Sequence, residues 1–308
     1  VLMLVRPQGL WPARIARRVQ LPEDDAGDLS FAGATAKRGE TLLEVKDLGR
    51  DFGGVHAVRG MSFTVHRGEI LSIIGPNGAG KTTVFNCLTG VIRPSRGEIV
   101  FRGQRLGHWA PHRVVALGLS RTFQGIRLFP NMTAHQNVLV GMDPHHRVSL
   151  VGEILGLPSA RRDSREHLGT CRRLLQFVGL EDAAGRRAGD LPYGDQRRLE
   201  IARALGAKPE LLLLDEPAAG MNPTEKTALM GLIRGIRDLG VTVVLIEHDM
   251  MLVMGVSDRV LVMDRGTLIA AGEPAAIQRN ERVIDAYLGN DSEADETAGA
   301  EEAALWES

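Results

Sequence analysis

The stretch Gly75-Pro76-Asn77-Gly78-Ala79-Gly80-Lys81-Thr82-Thr83 decides the fold class of this 308-residue chain. It fits the pattern G-x-x-x-x-G-K-[ST] at every fixed position. Glycines let successive backbone N–H groups curl around a phosphate, and the positive end of a following helix faces the same anion. Lys81 would reach the β- and γ-phosphates, and the Thr82 hydroxyl would be a ligand of Mg²⁺. We therefore predict that residues 75–83, the phosphate loop, bind ATP with Mg²⁺.

The sequence around the phosphate loop has the strand–loop–helix order that such a loop requires. An apolar run at residues 70–74 ends at the loop, and residues 82–88 have helical character. Residues 108–119 also look helical, and residues 133–191 predict a helical insertion. Further β-type runs lie at residues 42–45, 61–65, 97–101, 211–214, 241–246 and 259–263. Helical stretches separate the later runs, which predicts an α/β domain with a parallel sheet.

Two carboxylates, Asp215 and Glu216, follow the apolar run at residues 211–214 directly. Ligands bind at the carboxyl edge of an open α/β sheet, which is where this run would deliver both side chains. Asp215 suits a direct or indirect ligand of Mg²⁺, and Glu216 can polarise an attacking water. An ordinary strand-ending turn is the alternative, and the phosphate loop upstream disfavours it.

His248 follows the apolar run at residues 241–246 by two positions. This spacing predicts an imidazole at the same sheet edge, where it can hold the γ-phosphate and the water together. A histidine that stands alone after a strand is more often structural. Here the histidine comes after two phosphate-binding motifs, so we predict that it takes part in hydrolysis.

Together with these motifs, the sequence over residues 42–289 resembles a known family, the ATP-binding cassette ATPases. Further elements of that family match in order: Phe52, Gln124, Leu-Pro-Tyr-Gly-Asp-Gln-Arg-Arg at 191–198, Ala-Gly-Met-Asn at 219–222 and Glu-His-Asp at 247–249. The resemblance implies a P-loop ATPase fold. Such a fold has a RecA-like α/β core, an antiparallel β subdomain and an α-helical subdomain, here at residues 130–195.

The resemblance also implies roles for these residues. Phe52 would stack on adenine, with a buried strand aromatic as the alternative interpretation. Gln124, in the family's Q-loop, would contact Mg²⁺ and the attacking water and adjoin the transmembrane partner. Tyr193, Gly194 and Asp195 lie in the family signature, which reads the γ-phosphate of ATP held by a second cassette. Mg·ATP would therefore lie between two cassettes that pair head to tail.

Three positions depart from the family pattern. Pro192 and Asp195 replace the usual serine and glutamine of the signature, and Asn222 replaces the usual aspartate of the D-loop, residues 219–222. Pro192 has no hydroxyl to offer a phosphate, whereas the Gly194 N–H and the positive start of a helix remain. Proline also suits the first turn of a helix, so the signature helix can still begin here.

Several long stretches are similar to the ATPase subunits of branched-chain amino acid importers: residues 120–133, 191–202, 218–223 and 283–289. This likeness implies import of branched-chain or related amino acids, powered by ATP hydrolysis. The implied partners are transmembrane permease subunits, a second identical or paralogous ATPase and, indirectly, a periplasmic solute-binding protein. The chain would be peripheral, at the cytoplasmic face of the inner membrane.

Two other classes of cassette remain as alternatives. Those for lipopolysaccharide export or for amide and urea import share much of the pattern, although export cassettes differ around residues 121–133. Non-transport cassettes usually carry coiled-coil insertions or two cassettes, whereas this sequence has one phosphate loop and no long heptad run. A formal net charge of −1 provides no basic field for nucleic acid, which we exclude as a partner.

The two ends of the chain differ in composition from the predicted cassette at residues 41–289. Residues 1–40 predict a disordered extension or linker. Within it, residues 1–20 resemble the cytoplasmic end of a permease through the stretch 2–11, so a permease–ATPase fusion is one interpretation. Residues 290–308 are acidic and predict a disordered, solvated tail.

Overall fold

The computed structural model describes residues 29, 31, 37–107, 109–142 and 158–288, apart from the side chains of residues 158–165 and 288. Its elements follow in this order: β1 (Thr41–Phe52), β2 (Val55–His66), β3 (Ile70–Ile74), α1 (Lys81–Leu88), β4 (Arg96–Phe101), β5 (Gln104–Arg105), α2 (Pro111–Ala116), β6 (Leu119–Arg121), α3 (Ala134–Met142), α4 (Pro158–Phe177), α5 (Tyr193–Gly206), β7 (Leu211–Asp215), α6 (Pro223–Asp238), β8 (Thr242–Ile246), α7 (Met250–Val256), β9 (Arg259–Asp264), β10 (Thr267–Gly272), α8 (Pro274–Gln278) and α9 (Glu281–Leu288). Two short 3-10 turns, Glu181–Ala183 and Ala188–Asp190, precede α5.

A four-stranded antiparallel sheet in the order β2-β1-β4-β5 forms one layer of the described structure. Its buried face shares one hydrophobic core with α1, where Leu43, Val45 and Phe101 of the sheet meet Val84 and Phe85 of the helix. This layer corresponds to the antiparallel β subdomain that the family resemblance implies.

The second sheet has six strands in the order β10-β9-β3-β8-β7-β6, parallel except for β10. Successive side chains of a strand point to opposite faces, and β7 shows the result. Leu211 and Leu213 join the core on the α1 side, whereas Leu212 and Leu214 join the core on the α6 side. Every residue of β7 is buried, so apolar contacts on both faces account for its run of leucines.

Helices α3, α4 and α5 pack together in the middle of the chain. They share a core through side chains that include Val138, Leu174 and Leu199, and this core is continuous with the α6 side of the sheet. Helices α3 and α4 lie within the predicted helical subdomain at residues 130–195, whereas α5 begins at Tyr193 and extends beyond it to Gly206. Of the described helices, including the 20-residue α4, none is long and apolar enough to span a bilayer.

Some element predictions are wrong in detail. The helix predicted at residues 108–119 is shorter, because α2 runs only from Pro111 to Ala116, and residue 108 lies outside the described residues. Proline suits the first turn of α2, where its missing N–H costs no hydrogen bond, and Leu119 already belongs to β6. The sequence pattern also missed β5, β6 and β10, each of which ends a sheet.

Phe31 is buried, which departs from the prediction of a disordered linker at its position. Most of residues 1–40, including the permease-like residues 1–20, lie outside the described residues, as does the predicted tail. Phe31, however, is only 3% exposed and packs in the core that contains Leu174 and Leu205. Leu29 and Phe31 both line a groove between α4 and the end of α5. Burial of an aromatic side chain is the physical reason why this point of the extension is packed.

Helix α6 begins with a capping box formed by Asn222 and Glu225. The Asn222 Oδ1 atom accepts a hydrogen bond from the Glu225 N–H at 2.9 Å, and the Glu225 Oε2 atom accepts one from the Asn222 N–H at 2.9 Å. Two N–H groups that the helix cannot satisfy internally thereby find partners. Asparagine and aspartate cap helices about equally well, which explains how Asn222 can replace the family's usual aspartate.

The capping box leads to a prediction of stability. Asn222→Ala should lower the free energy of unfolding by about 1 kcal/mol, whereas Asn222→Asp should retain it because the carboxylate accepts the same bond. Urea unfolding of the full chain measures both values. Thr224→Ala, an exposed change in the same turn, is the control. Equal losses in the two Asn222 variants would contradict the capping role.

Candidate active site

The phosphate loop connects β3 to α1, as predicted, and two of its glycines permit close approaches to the backbone. Gly75 has φ +147°, and a Cβ atom at this position would overlap the carbonyl oxygen of Met263 in β9. Gly80 has φ +99°, and a Cβ atom there would overlap the carbonyl oxygen of Ala57 in β2. Any larger residue would push the loop away from these strands, so glycine is required at both places.

Lys81, the first residue of α1, is held by the loop itself. Its Nζ atom donates to the carbonyl oxygens of Gly75 at 2.5 Å and Pro76 at 2.9 Å. Burial lowers the pKa of Lys81, while the negative charges of Glu216 and Asp215 act in the opposite direction. An ammonium group has three donors, so two bonds to backbone oxygens leave one donor for a phosphate.

The remaining predicted loop residues differ in exposure. Asn77, Gly78 and Thr82 are exposed, and Pro76 and Thr83 are partly buried. Ala79 is buried, and its carbonyl oxygen accepts a hydrogen bond at 3.0 Å from the N–H of Gly266, in the turn between β9 and β10. Exposed side chains and glycines at the tip of the loop leave its backbone accessible to a ligand.

Asp215, the last residue of β7, forms a buried ion pair with Arg121 of β6. The Arg121 Nη2 atom donates to Asp215 Oδ2 at 2.6 Å, and the two side chains are 5% and 1% exposed. The Arg121 Nη1 atom donates to Asn86 Oδ1 of α1 at 2.7 Å. Within the described residues, the buried Asp215 Oδ1 atom has no hydrogen-bond partner. A buried carboxylate oxygen of this kind fits a cation or its bound water, the role predicted for Asp215.

Glu216 lies where three loops meet. It has φ +46°, and its N–H donates to the carbonyl oxygen of Ile246 at 2.9 Å, which ties this left-handed turn to β8. The Gln124 Nε2 atom donates to Glu216 Oε2 at 3.0 Å, and His248 Nδ1 lies 4.0 Å from the same oxygen. The structure therefore brings together the three residues predicted to be catalytic, which are far apart in sequence. Backbone strain such as that at Glu216 is concentrated at functional sites.

Glu247 is a site residue to which the sequence pattern assigned no role. It is completely buried. Its Oε1 atom accepts from the Ala218 N–H at 2.7 Å, and its Oε2 atom accepts from the His248 N–H at 3.2 Å. Burial raises the pKa of this carboxyl group. Glu247 thus joins the turn that follows Glu216 to the backbone of His248, whose own side chain is 61% exposed.

Phe52 ends β1 and is 40% exposed, which contradicts the alternative of a buried strand aromatic. The Arg50 guanidinium lies 4.3 Å from the centroid of its ring. The hairpin formed by β1 and β2 approaches the phosphate loop through Ala57, which lies against Gly80. An exposed ring on this hairpin is available for stacking, and its contact with adenine stays a prediction.

The signature residues lie at the start of α5. Pro192 is the N-cap residue, with φ −53° and ψ 154°, and the helix begins at Tyr193. Gly194 is buried, and a Cβ atom there would crowd the Glu225 carboxylate. Asp195 Oδ1 accepts a hydrogen bond from Arg198 Nη2 at 2.5 Å. The roles of Tyr193, Gly194 and Asp195 toward a second cassette stay predictions.

A family model described as ABC transporter matches residues 58–219. The chain belongs to the ABC transporter family. A second model, described as branched-chain amino acid ATP-binding cassette transporter, matches residues 267–293 of this ABC cassette.

The ABC cassette is similar to curated relatives over nearly their whole length. It is 47% identical over 251 residues to the high-affinity branched-chain amino acid transport ATP-binding protein LivG of Escherichia coli (strain K12), which covers 81% of this chain and 98% of LivG. It is 46% identical over 249 residues to BraF of Pseudomonas aeruginosa, a protein with the same description, covering 80% of this chain and 98% of BraF.

Solved structures agree with this assignment. An ATP-binding cassette of an ABC transporter in its ADP conformation is 28% identical, with a TM-score of 0.71, over 81% of this chain and 99% of that one. A nucleotide-free cassette of an ABC transporter is also 28% identical, with a TM-score of 0.70. The predicted family, the P-loop fold class and the ATPase activity are therefore confirmed, and the ABC cassette binds nucleotide.

The geometry of Lys81 leads to a binding prediction. Lys81→Ala should abolish measurable ATP binding, because the loop loses the buried cation that is predicted to contact the phosphates. Isothermal titration calorimetry of the full chain with Mg·ATP measures the affinity. Lys46→Ala, which removes an exposed lysine from β1, is the matched control and should bind ATP as the unmodified chain does. Unchanged affinity in Lys81→Ala would contradict the assignment of the loop.

Proposed function

We propose that this chain powers the uptake of branched-chain or related amino acids through a membrane permease, by hydrolysing Mg·ATP between two cassettes. The match of residues 267–293 to the branched-chain model carries this proposal, since it lies outside the general cassette match at residues 58–219. The identity of 47% with LivG, over 98% of that protein, supports the same substrate class. The chain would act as a peripheral subunit at the cytoplasmic face of the inner membrane.

Binding of the nucleotide would begin at the phosphate loop. Its backbone N–H groups and Lys81 would hold the phosphates, and Phe52 would stack on the base. Thr82, Asp215 and Gln124 would hold Mg²⁺, and Asp215 offers the buried oxygen atom described above. When bound, Mg²⁺ neutralises charge that develops on the β- and γ-phosphate oxygens.

Hydrolysis would depend on the cluster around Glu216. Its carboxylate would accept a proton from the attacking water. Gln124, hydrogen-bonded to Glu216 Oε2 at 3.0 Å, and His248, 4.0 Å from the same oxygen, would orient the water and the γ-phosphate. Glu247, by accepting a hydrogen bond from the His248 N–H, would hold His248 in position beside Glu216.

The second half of the site would come from another cassette, identical or paralogous. Its signature residues Tyr193, Gly194 and Asp195 would face the nucleotide bound to the phosphate loop of the first. ATP can close such a pair only if it binds the closed state more tightly than the open state. Closure would move the permease, which receives its solute from a periplasmic binding protein, and hydrolysis would let the cassettes separate.

The role of Glu216 can be tested with a trapping variant. Glu216→Gln should lower ATP hydrolysis by about 100-fold or more, because the amide cannot accept the proton of the water. An ATP-bound dimer should then accumulate in size-exclusion chromatography with Mg·ATP. Glu44→Gln changes a carboxylate of β1 outside the site and should retain the unmodified rate. Undiminished steady-state hydrolysis by Glu216→Gln would exclude the assigned role.

The substrate class can be tested by transport. In the source organism, a chromosomal Lys81→Ala change should remove the high-affinity uptake of labelled leucine, isoleucine and valine, because closure of the cassettes needs ATP. Labelled urea and a short amide are measured in the same cells. If urea or amide uptake is lost while leucine uptake stays normal, the substrate class is amides or urea, and the proposed class of branched-chain amino acids is wrong.

A further inference from the structure

Arg197, in the first turns of the signature helix α5, is 3% exposed and uses every donor of its guanidinium group. Its Nη1 atom donates to the carbonyl oxygen of Phe123 at 2.9 Å and to Glu200 Oε2 at 3.4 Å. Its Nη2 atom donates to the carbonyl oxygen of Gln124 and to the Tyr193 hydroxyl at 2.9 Å. Its Nε atom donates to the same hydroxyl at 3.1 Å. Five N–H groups therefore have acceptors.

The two backbone acceptors of Arg197 lie on either side of Gln124. The carbonyl of Phe123 belongs to the peptide group before the Gln124 Cα atom, and the carbonyl of Gln124 belongs to the peptide group after it. Because peptide groups are planar, holding both of them fixes the direction of the Gln124 Cα–Cβ bond. The Gln124 side chain then donates to Glu216 Oε2 at 3.0 Å. None of the hydrogen bonds of Arg197 within the described residues reaches Glu216, so any influence of Arg197 on that carboxylate would pass through Gln124.

Two further residues on the same face of α5 hold the next part of this loop. Glu200 Oε1 accepts a hydrogen bond from the Arg127 N–H at 3.3 Å, and Arg203 Nη1 donates to the Arg127 carbonyl oxygen. Residues three apart on a helix lie on one face, so Arg197, Glu200 and Arg203 form one row. This row fixes the backbone of residues 123–127 to successive turns of α5.

We propose that Arg197 is a positioning residue for Gln124, so that the signature helix of one chain sets the geometry of its own hydrolytic cluster. The proposal rests on the role in hydrolysis proposed above for Gln124. A guanidinium fork is suited to this task, because it presents its donors in one plane and at fixed angles. A purely structural ion pair between Arg197 and Glu200 would need neither the bonds to the two carbonyls nor their placement around Gln124.

The informative change is Arg197→Lys. Lysine retains the positive charge beside Glu200, so the buried carboxylate is not left unpaired. It has only three donors and no planar fork, so it cannot satisfy both carbonyls, the Tyr193 hydroxyl and Glu200 together. Arg197→Lys should therefore lower kcat by about tenfold, since small displacements of catalytic groups have effects of at least this order. The Kd for ATP measured without Mg²⁺ should stay unchanged, because Gln124 would reach the nucleotide only through the metal and the water.

A double-mutant cycle distinguishes positioning from general destabilisation. Four full-length chains are compared at saturating Mg·ATP: the unmodified chain, Gln124→Ala, Arg197→Lys and the double variant. If Arg197 acts through Gln124, the double variant should match Gln124→Ala to within about twofold, because the second change has nothing left to misplace. Fully multiplicative losses of kcat would overturn the proposal. No loss in Gln124→Ala alone would instead remove the proposed role of Gln124.

A second readout does not depend on activity. Hydrogen–deuterium exchange at the amides of residues 123–127, without nucleotide, should be faster in Arg197→Lys, because the loop loses its anchors on α5. Arg259→Lys is the matched control: Arg259 pairs with Glu69 at 3.1 Å and also donates to the carbonyl oxygen of Thr64. The Arg259→Lys variant should leave both kcat and hydrogen–deuterium exchange at residues 123–127 unchanged. Unaltered exchange in Arg197→Lys would also overturn the proposal.

Discussion

The register of the parallel strands β3, β8, β7 and β6 fixes where each functional loop begins. Asp215 of β7 pairs with Ile246 of β8, and Ile246 pairs with Ile73 of β3. Neighbouring strands therefore end at nearly the same level. Because they are parallel, the phosphate loop, the loop of Gln124, the turn at Glu216 and the loop of His248 all leave the sheet at one edge. The composition of the candidate site follows from this register and strand order.

The site contains more buried charge than a simple apolar core would tolerate, and hydrogen bonds compensate for it. Asp215 is paired with Arg121, Arg197 is paired with Glu200, and the Glu247 carboxylate accepts backbone N–H groups. Burial of unpaired charges is costly, and even a paired charge contributes little net stability. The value of these groups lies in geometry. Arg121 joins β6 to β7 and α1, Arg197 joins α5 to the loop at residues 123–124, and Glu247 joins the loop after β8 to the turn at Ala218.

The positions at which this chain departs from the family pattern are accommodated by local structure. Pro192 provides the extended residue that precedes α5, where it needs no N–H. Asp195 is engaged by Arg198 in the next turn, and Asn222 completes the capping box of α6. The starts of α5 and α6 also meet, because Gly194 packs beside Glu225. The signature and D-loop departures thus serve helix starts that contact each other.

The sequence by itself determined the phosphate loop, the buried strands and the order of the motifs, because these depend on neighbours along the chain. Glycines at fixed spacing predict a phosphate loop, and continuous apolar runs predict buried strands, without knowledge of distant residues. The sequence could not show the edge strands, the packing of Phe31 or the contacts of Arg121, Arg197 and Glu247. The pairs Arg121–Asp215 and Arg197–Gln124 join residues separated by 94 and 73 positions. Only the tertiary structure decided these contacts. A buried polar group is destabilising unless folding brings a hydrogen-bond partner within reach, and here that partner lies far away in the sequence.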